Sequence, residues 1–137
     1  MKICISSCKQ YSAKTIPIIV KSLLNSGITT RDMLIVEGGY DERIINICDN
    51  ITHIKTNHNS FDFTALIDIV EYNIEANAWF SLHDTCRVGL SFKQCLYSAD
   101  LNYNKIALKQ FPSMSIGLFK YSYLQQHRDL ILKQINI

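Results

Sequence analysis

Short apolar runs alternate with stripes at helical spacing along this chain. Residues 2–6 (KICIS) read as a buried strand with Cys4 inside it, and residues 6–12 as a polar loop. Thr15, Ile16 and Pro17 then make a helix start with proline in the first turn. Ile16, Ile19, Val20, Leu23 and Leu24 form its apolar stripe, and Gly27 stops it. Residues 33–37 (MLIVE) predict a second strand, followed by a turn at Gly38, Gly39, Tyr40 and Asp41. Asp41 is placed to cap a short helix through Ile45 and Cys48. Residues 51–56 alternate as a third strand, and residues 57–60 are a polar loop. Ser60 is placed as N-cap of a helix over residues 61–76, with Phe63, Leu66, Ile67, Val70 and Ile74 facing inward. Residues 78–82 (AWFSL) are the fourth strand.

Beyond it, the pattern predicts a short helix over residues 90–97 and a turn at Asn102, Tyr103 and Asn104. Two further strands, residues 105–109 and 114–120, are joined through Phe111, Pro112 and Ser113. A final amphipathic helix spans residues 121–136, with Leu124, Leu130 and Ile131 inward. This order predicts a three-layer α/β/α sandwich with a mostly parallel, mixed sheet. Crossovers should be right-handed, and the short connection between the last two strands permits an antiparallel pair. With no internal repeat, low-complexity segment or linker, the 137 residues are expected to form a single domain.

Composition narrows the class. An apolar fraction of 47% and a charged fraction of 19% are those of a folded globular chain. The net charge of +2 gives no electrostatic case for nucleic acid or an anionic membrane. The amino-terminal strand turns polar too early for a signal peptide, and no stretch reaches the ~20 apolar residues of a transmembrane segment. Five cysteines at irregular spacing, without a CxxC, read as reduced thiols of a cytoplasmic protein.

Candidate chemistry sits where the strands end. The apolar run 78–82 breaks abruptly into His83, Asp84 and Thr85. In open α/β sheets, ligands bind at the carboxyl ends of the strands. A carboxylate there can hold a divalent cation and, through it, a phosphate; equally, Asp84 or Thr85 can simply cap the next helix. Three loops should share that sheet edge: residues 6–10, residues 37–41 and residues 83–86. The first offers the hydroxyls of Ser6 and Ser7 and the amine of Lys9. The second offers Glu37, for ribose hydroxyls or a base imide, or else is only a tight turn. The third offers Asp84 as a metal ligand. The glycines match neither the Rossmann nor the P-loop fingerprint.

The element order and these segments resemble nucleotide-sugar glycosyltransferases of the GT-A fold, in their broad family-2-like group. Residues 33–41 (MLIVEGGYD) resemble that family's IIVDDGSxD segment, residues 57–65 its approach to a base-contacting helix, and residues 80–86 (FSLHDTC) its FLDxD motif. Residues 115–120 (SIGLFK) resemble its late NIGLF strand. The resemblance implies transfer of a sugar from a nucleotide-diphosphate donor to a glycan or other hydroxyl acceptor. Ser6, Ser7, Lys9, Glu37, Asp62 and Asp84 would bind the nucleotide sugar. Mn²⁺ or Mg²⁺ on Asp84 would neutralise charge on the leaving diphosphate.

Two departures qualify that implication. Cys86 stands where the motif's last acid belongs, and a thiol is a poor ligand for a hard cation. Asp84 alone, with water and phosphate oxygens, can still hold Mg²⁺, or Lys9 or Arg87 can counter the phosphates without a metal. No acidic residue occurs between residues 101 and 126, where a late catalytic base is expected; Asp100 and Asp129 flank the gap. A non-catalytic nucleotide-binding or assembly module is therefore the alternative, with a triphosphate-using nucleotidyltransferase behind it. A His83–Cys86 pair, or zinc on His58, His83, Cys86 and Cys95, lacks the spacing that would carry it. Tyr40, Phe61, Tyr121 and Tyr123 are candidates for ring stacking, Tyr40 first because it lies in a loop.

Overall fold

The computed structural model describes residues 1–103, 105–107 and 116–136, with only the backbone of 105–107. The strands are β1 (Lys2–Cys8), β2 (Met33–Gly38), β3 (Ile44–Cys48), β4 (Ile51–Lys55), β5 (Ala78–His83), β6 (Lys105–Ala107) and β7 (Gly117–Lys120). The helices are α1 (Ser12–Asn25), α2 (Thr64–Glu71), α3 (Phe92–Tyr97), α4 (Tyr121–Gln126) and α5 (Arg128–Leu132).

These strands form one seven-stranded sheet in the order β3-β4-β2-β1-β5-β7-β6. Parallel pairing joins β4, β2, β1 and β5, while β3 and β7 run against their neighbours. The alternation of side chains sorts the core into two layers. Ile3, Ile5, Met33, Ile35, Phe80 and Leu82 pack with Ile19 and Leu23 of α1 and Leu96 of α3. Cys4, Leu34, Val36, Ile54 and Trp79 pack on the opposite face with α2 and with Leu124 of α4. This is the expected three-layer fold.

The chain leaves β1 toward β2 and β4, then crosses back to place β5 on the other side of β1. The order therefore reverses between β1 and β5, with α1 above the sheet and α2 below it. Such a reversal opens a crevice at the carboxyl ends of the two strands.

Several local expectations are corrected. The helix expected through Ile45 and Cys48 is the edge strand β3, paired antiparallel to β4 across a two-residue turn. Asp49 and Asn50 at that turn have φ of 53° and 64°, the left-handed pair that a tight hairpin needs. Asp41 accordingly caps no helix. β1 runs on to Cys8, so Ser6 and Ser7 belong to the strand rather than the loop. α1 begins at Ser12 and holds Pro17 in its interior, where both Pro17 and the carbonyl-bearing Ala13 are exposed and water can replace the lost bond. The helix expected over 61–76 is α2 alone, preceded by a 3₁₀ turn at Phe61–Phe63. Ser60 does not cap it by its side chain. α2 is buried from Thr64 to Val70, not on one side only, because the carboxyl-terminal helices cover its outer face. The final helix is broken at His127 into α4 and α5, and Arg128 there donates to the carbonyls of Val70 and Glu71 at the end of α2. The connection at 111–113 and residue 115 of the late motif lie outside the described residues.

Candidate functional site

A crevice of about 320 Å³ lies at the switch point, lined by Ser6, Ser7, Asp62, His83, Asp84 and Phe61 among others. Strand parity divides its polar groups. Ser7 and Asp84 stand on the α1 face of the sheet, and Ser6 and His83 on the α2 face.

On the α1 face, Asp84 Oδ2 accepts two hydroxyl hydrogen bonds, from Ser7 Oγ and from Thr15 Oγ1, each at 2.7 Å. Thr15 Oγ1 also lies 3.1 Å from the Tyr11 carbonyl. Its single proton goes to the carboxylate, the shorter and charge-assisted contact. The Asp84 backbone N–H donates to the Ser6 carbonyl, which continues the β1–β5 ladder one residue past the strand. Asp84 is thus fixed by β1 and by the first turn of α1, and it caps no helix.

On the α2 face, Ser6 Oγ donates to the Asp62 carbonyl and accepts from the Ala65 N–H, at 3.2 and 3.0 Å. That hydroxyl staples β1 to the start of α2. Asp62 Oδ1 lies 3.4 Å from His83 Nδ1, with the Asp62 side chain half exposed. Phe61 has φ of 53°, a conformation that is an outlier for a bulky residue, and its ring is 68% exposed. Tyr11, 53% exposed, lines the crevice from the opposite side of the sheet. Both are apolar area held in water at a polar crevice.

Glu37 belongs to the same face as Ser7 but lies behind the crevice, 4% exposed. Its carboxylate meets Ser12, and His53 Nε2 lies 3.0 Å from Oε2 at an angle outside the hydrogen-bond range. Burial pushes its pKa up. The contacts of His53 and Ser12 and the charges of His53 and Lys55 outweigh that and hold it below the ordinary value. Lys9 lines a neighbouring depression with Gly38, Gly39 and Asn59, and its ammonium lies 5.4 Å from the centre of the Tyr40 ring. Lys55 lies 5.0 Å from the same ring, so Tyr40 is a cation–π platform between two lysines. The structure therefore gathers Ser6, Ser7, Asp62 and Asp84, buries Glu37 and sets Lys9 next door. Phe61 and Tyr11, not Tyr40, are the aromatics that line the crevice.

Gly38 lets this edge close. A Cβ there would stand 2.5 Å from the His58 carbonyl oxygen, so only glycine admits the 58–59 backbone against β2. Gly39, with φ of 92°, donates its N–H to that same carbonyl.

No group of three or more His, Cys, Asp and Glu side chains converges among the described residues. The donor set around Asp84 is hydroxyl and carboxylate oxygen, suited to a hard cation. One carboxylate cannot enclose a bare ion, so Mg²⁺ or Mn²⁺ would be held jointly by Asp84, water and a ligand's phosphates.

A second polar constellation was not legible as such. Asp68 is fully buried in α2 and accepts from His58 Nε2 at 2.9 Å, Thr56 Oγ1 at 3.2 Å and Arg43 Nε at 3.4 Å. His58 Nδ1 lies 2.8 Å from Ser60 Oγ, which also takes the Asn136 N–H. This Ser–His–Asp set is sealed. Ser60 and His58 are buried, the Ser60 N–H is used by Thr64, and Asn136 clamps Asn59, accepting its N–H at the Asn136 carbonyl and donating its side-chain amide to the Asn59 carbonyl. It binds the carboxyl-terminal segment to α2 and leaves no place for a reacting carbonyl. Its signal in the sequence is one carboxylate inside the otherwise apolar run ALIDIV, residues 65–70.

No protein-family model matches this chain, and no curated protein matches it significantly in sequence. No helix among the described residues is long and apolar enough to cross a membrane.

Proposed function

We propose that the protein is a glycosyltransferase of GT-A type, moving a sugar from a nucleotide-diphosphate donor to a hydroxyl acceptor such as a glycan. The observation that carries this reading is Asp84, a carboxylate at the β1/β5 switch point, pinned by two hydroxyls and lining a crevice between exposed aromatics. Among the described residues only its Oδ2 is engaged in hydrogen bonds, which leaves Oδ1 for a cation. The diphosphate would lie against Asp84 with Mg²⁺ or Mn²⁺, and that ion would offset charge on the leaving group. Ser7 and Thr15 hold the carboxylate in one orientation, so no reorganisation is needed as charge develops. The flat faces of Phe61 and Tyr11 suit a base or a sugar ring. Five free thiols support a reducing, cytoplasmic setting.

The test is thermal unfolding with nucleoside diphosphates and nucleotide sugars, with and without Mn²⁺, on the wild type and on Asp84→Asn. At ~100 times its Kd a ligand of the native state adds about 2.7 kcal/mol. A metal-dependent upward shift that Asp84→Asn abolishes is the expected result. A folded protein unmoved by every nucleotide refutes the reading.

Cys86 in place of a second acid, and the acid-free stretch 101–126, favour a second reading: a nucleotide-binding module without turnover. Binding with no donor hydrolysis or transfer selects it.

A further inference from the structure

The edge strand β3 carries no device that would keep it from pairing. All five residues, Ile-Ile-Asn-Ile-Cys, are exposed, with Ile45 at 54% and Ile47 at 75%. There is no charge, proline or bulge within it, and its register against β4 is unbroken. Native edges are ordinarily blunted by one of these.

The backbone direction of the free edge follows from the hairpin. Cys48 and Ile51 close the two-residue turn and form a hydrogen-bonded pair. Alternation then directs the N–H and C=O of Asn46 and Ile44 to β4 as well, and those of Ile45 and Ile47 outward. Water solvates such a row, and another strand is the partner that can pair with all of it at once. We propose that this strand is a two-fold interface, with β3 of one copy antiparallel to β3 of a second copy and the axis at Asn46.

The strand's own sequence favours that occupant. An antiparallel two-fold centred on Asn46 sets Ile45 opposite Ile47 of the second copy, the register in which outward-facing backbone groups meet each other. The four isoleucines then lie together on the sheet face that Ile54 shares with α2. Ile44 faces Cys48 of the second copy, so no charged side chain is opposed within the paired strands. The pairing also closes on itself: each copy uses its exposed edge once, which prevents open-ended stacking.

Two measurements test it. Sedimentation of the wild type should show a mass approaching twice that of the chain as concentration rises from about 1 to about 100 µM, where a small interface of under ~1,200 Å² dissociates. Ile47→Lys should stay monomeric and unfold at the midpoint that the wild type shows when dilute, since residue 47 of the single chain is already in water. Asn46→Cys, made with Cys48→Ser and Cys95→Ser to remove the exposed thiols, should oxidise to a linked dimer. Its Cα atoms would stand about 4.5 Å apart in a non-hydrogen-bonded pair, within disulfide reach. A wild type monomeric throughout overturns the proposal, as does a dimer that survives Ile47→Lys and fails to cross-link at residue 46.

Discussion

At the scale of single residues, two carboxylates illustrate how burial and partners divide roles. Asp68 is sealed in α2 and holds His58, Thr56 and Arg43. Asp68→Ala would leave all three without their acceptor. The expected loss is about 3 kcal/mol or more, read as a lower urea midpoint with an unchanged slope. Glu37 acts on the pH axis. Its folded pKa is held below the ordinary 4.5 despite burial, by His53, Ser12 and Lys55. A depressed carboxylate contributes stability that is fully present above its unfolded value and is lost as pH falls through the folded one. The wild type should therefore lose stability below about pH 4.5 more steeply than Glu37→Gln in parallel thermal melts. Parallel acid limbs in the two proteins would contradict this assignment. Cys4 shows the opposite sign: burial pushes its thiol up to about 12, so it is a packing group and not a nucleophile.

At the scale of elements, the close approach at the end of β2 is the sensitive point. Gly38→Ala would drive a methyl into the backbone of residues 58 and 59, which cannot move aside as a side chain could. A cost of about 1–3 kcal/mol is expected, measured by denaturant melts. If the crevice takes a nucleotide as proposed, affinity for it should fall as well, because Asn59 lines the crevice. The elements also show where sequence reading succeeds. The strands β1, β2 and β5 are buried on both faces, so their apolar runs stand out without needing a period. In β3 the apolar residues 44, 45, 47 and 48 satisfy helical spacing as well as they satisfy a strand. What decides it is the Asp49–Asn50 turn onto Ile51, a hairpin signal that apolar spacing overlooks. The meeting of Ser6, Ser7 and Asp84 was legible because the end of a parallel strand is a topological position, while Asp62 comes from the turn before α2. The burial of Glu37 was not, since it depends on Ser12 and His53 arriving from two other elements. Nor was the outward ring of Phe61, which rests on one backbone angle.

At the scale of the molecule, the crevice joins both helical layers. Thr15 reaches Asp84 from α1, and Phe61 and Asp62 reach it from the turn that leads into α2. A ligand there would touch both layers at once, so its binding should raise the stability of the whole domain and not of one loop. That is why a global unfolding midpoint is a fitting readout for the proposed donor site. The free edge at β3 is separated from β1 by two strands, β2 and β4. Association through it would leave the crevice open, and the nucleotide response of Ile47→Lys should match that of the wild type.

The reversal of strand order at β1 also dictates how this chain must fold. β1 precedes both of its neighbours, and its partner β5 lies 77 residues further along, as in the pairing of Ile5 with Leu82. Between the appearance of β1 and that of β5, one whole edge of the central strand has nothing to pair with. Closing so distant a contact is slow, because the entropy of the intervening loop is lost before any pairing energy returns. On a ribosome the first half of this protein would wait, adhesive and incomplete, for the segment that completes both its sheet and its crevice.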